Sequence, residues 1–229
     1  MNSGLIVLHQ CPHPHAQQTH AFRLQHQADW HAIWQALAPH PPAAELLQML
    51  TSRYSEAHRH YHTLEHLNAC LRHLGDQRAL AHRPAEVALA LWFHDAIYDI
   101  GASDNELRSA DWARDVLLEH GGNPDVAQRV HALIMVTRHD QPPQTPDQAL
   151  LLDVDLAILG APAPVFDAYE QQIMREYQAV PSAAFRSNRT RILQGFLDRP
   201  RIYHSEAFHD ARESQARDNL MRSIRALAA

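Results

Sequence analysis

Apolar positions recur at spacings of three, four and seven along most of the chain, and no stretch alternates with period two for more than a few residues. Trp30, Ile33, Trp34 and Leu37 mark a first amphipathic helix from about Asp29, ended by Pro39, Pro41 and Pro42. Pro42 suits the start of a second helix, which carries Leu46, Leu47, Met49 and Leu50. Thr63 is placed to cap a third, with Leu67, Cys70, Leu71 and Leu74 as its apolar stripe. Pro84 opens a fourth. Asp104 is placed to cap a fifth, which stops at Gly121-Gly122. Pro124 opens a sixth that ends near His139, and Pro146 a seventh that ends at Gly160 and Pro162. Residues 164–180, 182–198 and 206–227 each read as one further helix. The pattern predicts an all-α chain of about nine or ten helices. Residues 1–20, polar with Pro and His, read as a weakly ordered tail, and 21–229 as one domain without repeat or linker.

Three polar intrusions break the apolar helices. His66 opens the third helix on its apolar side. His94-Asp95 sits in Ala90-Leu91-Trp92-Phe93-His94-Asp95-Ala96-Ile97-Tyr98-Asp99, with no charge between Val87 and His94. Asp153 and Asp155 interrupt Leu150–Leu159. Burying such groups is costly unless something compensates them. A metal ion does so by bonding imidazole and carboxylate together. Residues two apart on a helix point about 200° apart, so Asp153 and Asp155 cannot both face one site. A set of two His and two Asp suits Mn, Fe, Ni, Co, Zn or Mg better than a thiolate-selecting site.

Composition removes other classes. The chain has 229 residues, 45% of them hydrophobic, enough for a substantial core. It has only 7 Gly and neither GxGxxG nor GxxxxGK[ST], which sets aside Rossmann and P-loop nucleotide binding. All 20 basic residues are Arg, a pattern that codon bias explains as well as phosphate recognition does. The net charge of −6 argues against coating nucleic acid. Cys11 and Cys70 form no CxxC motif, and a reducing cytoplasm fits. No apolar run approaches the roughly 20 residues of a membrane helix. The last helix, with Leu220, Ile224 and Leu227, can cover its own core or a second copy, leaving monomer and homodimer both open.

The order His66, His94-Asp95, Asp155 resembles the HD-domain superfamily of metal-dependent phosphohydrolases, which are all-helical. The wider blocks resemble a bacterial branch known as predicted metal-dependent HD phosphohydrolases. They are residues 59–66 (RHYHTLEH), 92–99 (WFHDAIYD), 105–110 (NELRSA), 153–160 (DVDLAILG) and 213–220 (ESQARDNL). The resemblance spans roughly residues 50–222. It implies an HD-type bundle that cleaves a phosphate ester, a nucleotide being one candidate, with water activated by one or two divalent ions. It implies His66, His94, Asp95 and Asp155 as metal ligands, Asp153 being the alternative to Asp155. His62 is a candidate for catalysis or substrate contact. His139 is a candidate for substrate or a second metal, whereas His120 and His131 read as structural. Asp99, one turn past Asp95, and Glu106 are candidates for proton transfer. Arg59, Arg138, Arg175 and Arg217 are candidates for phosphate, and Tyr98 for the rest of the substrate. Two other activities share the pattern: a di-iron oxygenase and a non-catalytic nucleotide sensor.

Overall fold

The computed structural model describes residues 14–42 and 44–228, and these fold as ten α-helices with no strand among them. They are α1 (Pro14–Leu37), α2 (Ala44–Arg53), α3 (Leu64–Asp76), α4 (Pro84–Phe93), α5 (Asn105–Glu119), α6 (Pro124–Met135), α7 (Pro146–Asp155), α8 (Ala163–Glu176), α9 (Ser182–Leu197) and α10 (Glu206–Ala228). Short 3₁₀ turns follow α6 (Val136–Arg138) and α7 (Leu156–Gly160).

The bundle is arranged around α4. Every residue from Glu86 to Phe93 is buried, so this helix is apolar on all sides, as a central helix must be. It packs against α1, α3, α5, α6 and α7. At its back, Phe22 and Trp30 of α1 meet Trp92 edge-on, with centroids 5.8 and 5.0 Å away. Its C-terminal end carries His94 and Asp95 out of the core toward α3 and α7.

α1 starts earlier than the apolar pattern indicates. Residues 14–20, expected in the tail, are helical. Thr19, Phe22 and His26 continue the buried stripe of Trp30, Ile33 and Trp34 at the same spacing. Two polar members hid that continuation. Residues 1–13, including Cys11 and the rest of the tail, lie outside the described residues.

Of the two expected caps one is in place: Thr63 accepts from the Glu65 backbone N–H. Asn123 and Thr145, which the sequence did not single out, cap α6 and α7 by accepting from Asp125 and Gln148. Asp104 stands at the cap position of α5, but its side chain makes no capping bond. The turn before α5 is instead tied by Asn105, whose side chain pairs with both the N–H and the carbonyl of Asp99 at 3.0 Å. Gly121 ends the α5 region with φ of 78°, where a Cβ would strain the backbone. Gly160 lets α10 approach: a Cβ there would lie 2.6 Å from the Arg212 Cβ. α10 covers its own chain, with Phe208, Ala216 and Leu220 buried and Ile224 and Leu227 packed on the same core. No single described helix is long and apolar enough to cross a membrane.

Candidate metal centre

Three helices deliver one side-chain cluster. α3 brings His66 in its first turn, the end of α4 brings His94 and Asp95, and the last residue of α7 is Asp155. The Nε2 atoms of His66 and His94 lie 3.1 Å apart. Asp155 Oδ1 lies 3.3 Å from His66 Nε2 and 3.5 Å from His94 Nε2. Asp95 Oδ2 lies 3.1 Å from His94 Nε2 and 3.5 Å from His66 Nε2. His94 Nδ1 donates to the Leu91 carbonyl at 2.8 Å, which fixes the ring so that Nε2 faces the cluster. Two imidazole nitrogens at that separation need a proton or a cation between them.

The electrostatics agree. Burial alone would push both imidazoles down. For His66 the thiol of Cys70, Tyr61 and the hydrogen bonds to Asp155 and Asp95 outweigh burial and hold it well above its ordinary value. For His94 the charge of Asp95, Tyr54 and hydrogen bonds to both carboxylates do the same. Burial alone would raise the carboxylates. Asp95 is held well below the usual range by the charges of His94 and His62 and by hydrogen bonds from His66 and His94. Asp155 is held there by hydrogen bonds from His139, His66 and His94. The cluster therefore presents two buried anions that require a positive centre. Imidazole lone pairs and carboxylates are the donors a divalent cation takes, so the residues fit a metal ion. His66, His94 and Asp155, with Cys70, place ligand atoms within 4.8 Å of one another.

Asp153 turns the other way. Its Oδ1 accepts the His204 N–H at 2.7 Å, and its Oδ2 accepts the N–H and hydroxyl of Ser205 at 2.7 and 2.6 Å. It caps the approach to α10 and takes no part in the cluster. His139 joins the site: its Nε2 lies 3.2 Å from Asp155 Oδ2. It is the one described non-glycine residue with positive φ, 58°, a conformation that costs energy and concentrates at functional sites.

A cavity of about 550 Å³ opens on this cluster and is lined by Asp95, Asp155, His139, His62, Tyr98 and Glu106 among others. The remaining candidates are elsewhere. Asp99 is exposed and paired with Arg108 at 2.6 Å. Its carboxyl is lowered by that hydrogen bond, and it is not on the cavity wall. Arg59 is buried beneath the doublet. It donates to the carbonyls of Asp95 (2.6 Å), His62 (3.2 Å) and Ala96 (3.3 Å), so the guanidinium expected to bind phosphate supports backbone instead. Arg138 is turned to Asp140 at 3.2 Å and lies off the cavity. Arg217 is occupied by Glu213 and the carbonyls of Leu197, Arg199 and Pro200, and Arg175 is exposed away from the cavity. His120 packs on Trp34, and His131 lies 3.3 Å from Asp111.

Glu176 was not singled out by the sequence. It is buried at the end of α8, and its Oε1 accepts the consecutive backbone N–H groups of His60, Tyr61 and His62 at 2.8, 2.8 and 3.0 Å. Its Oε2 receives His62 Nδ1 at 2.8 Å and the Tyr98 hydroxyl at 2.9 Å. Burial would raise this carboxyl, but His62 and the backbone donors lower it to about 2. No local pattern could reveal a carboxylate whose partners lie 78 to 116 residues earlier. Cys70, read as core, is buried one turn past His66, with its Sγ 3.7 Å from His66 Nε2. Tyr54 was passed over too. Its hydroxyl donates to the Trp92 carbonyl at 3.2 Å and accepts the Asp95 N–H at 3.3 Å, anchoring the doublet. No protein-family model, curated protein or solved structure matches the chain.

Proposed function

We propose that this chain is a metal-dependent phosphohydrolase of the HD-domain type, cleaving a phosphate ester by attack of water. The observation that carries the reading is the meeting of His66, His94, Asp95 and Asp155 from three helices, with Asp95 and Asp155 on the wall of one cavity. These four residues hold the ion, with His94 oriented by Leu91. When bound, a divalent ion supplies Lewis acidity toward a phosphoryl oxygen and makes water a better nucleophile near neutral pH.

The chain's own groups do the rest. His62, on the cavity wall, is hydrogen-bonded to Glu176 through Nδ1, which leaves its other ring nitrogen for proton transfer to the departing alcohol oxygen. Glu176, with Tyr98 packed on the ring at 4.2 Å, fixes its orientation. Glu106 is the carboxylate on the same wall and replaces Asp99 as the candidate for a second proton transfer. In the overall reaction water adds to phosphorus, the ester P–O bond breaks, and the alcohol leaves with one proton.

The test joins metal analysis to activity. Purified protein should contain or take up a divalent metal and hydrolyse members of a phosphate-ester panel. His94→Ala and Asp95→Ala should keep the helical circular dichroism spectrum and lose both metal and activity. Metal-loaded protein that hydrolyses none of the panel would count against the reading.

The contact of His139 with the second oxygen of Asp155 favours one further possibility, in which His139 would help hold a second ion, as the di-iron oxygenase reading requires. Two irons per chain with an oxidised-iron absorption band would select it over hydrolysis, and His139→Ala would then reduce the stoichiometry to one.

A further inference from the structure

The cavity is much larger than a phosphate group, and the half away from the metal cluster has a different character. The 3₁₀ turn after α7, the α8 helix and α9 supply that wall, including Ile158, Tyr169, Ile173, Tyr177, Phe185 and Phe196. Tyr177 and Phe185 pack on each other with ring centroids 6.1 Å apart and planes tilted by 37°, giving that wall an aromatic surface. A volume of about 550 Å³ is in the range of pockets that enclose organic ligands.

Several polar atoms of this wall are already engaged within the protein, and the free ones sit at the exposed rim (the Asn188 amide nitrogen and Arg191) or toward the cluster (the Tyr61 hydroxyl). The Tyr169 hydroxyl takes the Arg189 guanidinium at 2.7 Å, and Arg189 is further paired with Glu170. The Tyr98 hydroxyl is given to Glu176 at 2.9 Å. At the rim, the Asn188 amide oxygen is taken by Arg191 at 2.9 Å. A sugar or polyol seated against the ring faces, away from the rim, would find few partners there, and each hydroxyl buried without one costs about 1–3 kcal/mol. A flat apolar group would meet ring faces and aliphatic side chains instead.

We propose that the α8–α9 wall is a leaving-group pocket for an aromatic body, so that the substrate is a phosphate monoester of an alcohol bearing an aromatic ring system. The ester part of this proposal rests on the phosphohydrolase reading. The aromatic pocket does not.

Two measurements separate them. The first is calorimetric binding of 2-(1-naphthyl)ethanol to metal-free wild type and Phe185→Ala, with Tyr177→Leu as a second variant. The second is kcat/KM of the metal-loaded wild type for 2-(1-naphthyl)ethyl phosphate against glycerol 1-phosphate. Both are esters of primary alcohols, so leaving-group reactivity is closely matched. The expected result is binding of the alcohol that weakens by about tenfold or more in each variant, and a preference of at least about tenfold for the naphthyl ester. Binding of the alcohol with hydrolysis of neither ester would support the aromatic pocket and sink the hydrolase. Hydrolysis of both esters at equal kcat/KM, absence of alcohol binding, or binding unchanged in both variants would overturn the pocket.

Discussion

Asp153 and Asp155 are the same residue type on the same helix, and their surroundings give them opposite work. Asp153 is buried against the N–H groups of His204 and Ser205, whereas Asp155 meets three imidazoles. Asp153→Asn would set an amide N–H₂ against a backbone donor. Urea unfolding should show a loss of about 1–3 kcal/mol with metal uptake retained. Asp155→Asn should lose metal uptake; uptake retained in Asp155→Asn, or lost in Asp153→Asn, would contradict the assignment. The helical angle between them is legible in the sequence, and so is the conclusion that one alone serves the site. Which one serves is decided by partners 51 and 52 residues further on, which no local pattern records. Glu176 makes the same point through pH. Its folded pKa of about 2 lies below the ordinary value of 4.5, so its stabilisation is present above the unfolded pKa and is lost as pH falls through about 4.5 toward 2. Linkage from those two values gives a loss of about 2 kcal/mol between pH 6 and pH 3. The wild type should therefore lose about that much more stability than Glu176→Gln over this interval, measured by urea midpoints. Parallel pH profiles would show that the carboxylate is not held as described.

At the scale of elements, the segment from Tyr54 to Thr63 has no regular structure of its own, yet it sets the site. Tyr54 anchors it to the end of α4, Arg59 to the carbonyls after the doublet, and Glu176 to α8. The Arg59 side chain is fully buried, sits 5.3 Å from the Tyr54 and Tyr98 ring centroids, and pairs with Glu56. Arg59→Ala should therefore cost about 3 kcal/mol in chemical denaturation. It should act through stability and metal retention, with KM for a phosphate ester little changed in the folded fraction. A stability change below about 0.5 kcal/mol, the size expected for an ordinary surface substitution, would refute this placement. The regular elements were legible because apolar periodicity and Pro, Thr and Gly punctuation are local signals. The early start of α1 was obscured by Thr19 and His26, polar residues within a buried stripe. The role of Arg59 was misread for a different reason. A basic residue beside a ligand block looks alike in sequence whether it faces substrate or supports the backbone.

The whole molecule gathers its parts at the same four candidate ligands. α3, α4 and α7 converge there, and His139 brings in the turn after α6. The convergence was foreshadowed in the sequence because each ligand interrupts an apolar run and so carries its own signal. The cavity was not, because its apolar wall is built from aromatic and aliphatic side chains that look like core in any helix. Two carboxylates buried with two imidazoles give the cluster a need for positive charge that protons and a metal compete to meet. A ligand that binds the folded state alone stabilises it by mass action, about 2.7 kcal/mol at a hundredfold excess over Kd. An ion held by groups from three helices would bind folded chain far better than unfolded chain. Thermal unfolding should therefore rise by several degrees when a divalent metal is added to chelated protein, and the rise should scale with the logarithm of free metal. Asp95→Ala and His94→Ala should show no such rise, while Asp99→Ala, on the exposed turn outside the cavity, should match the wild type. A melting temperature indifferent to metal would mean that the cluster is closed by its own ion pairs and holds no ion.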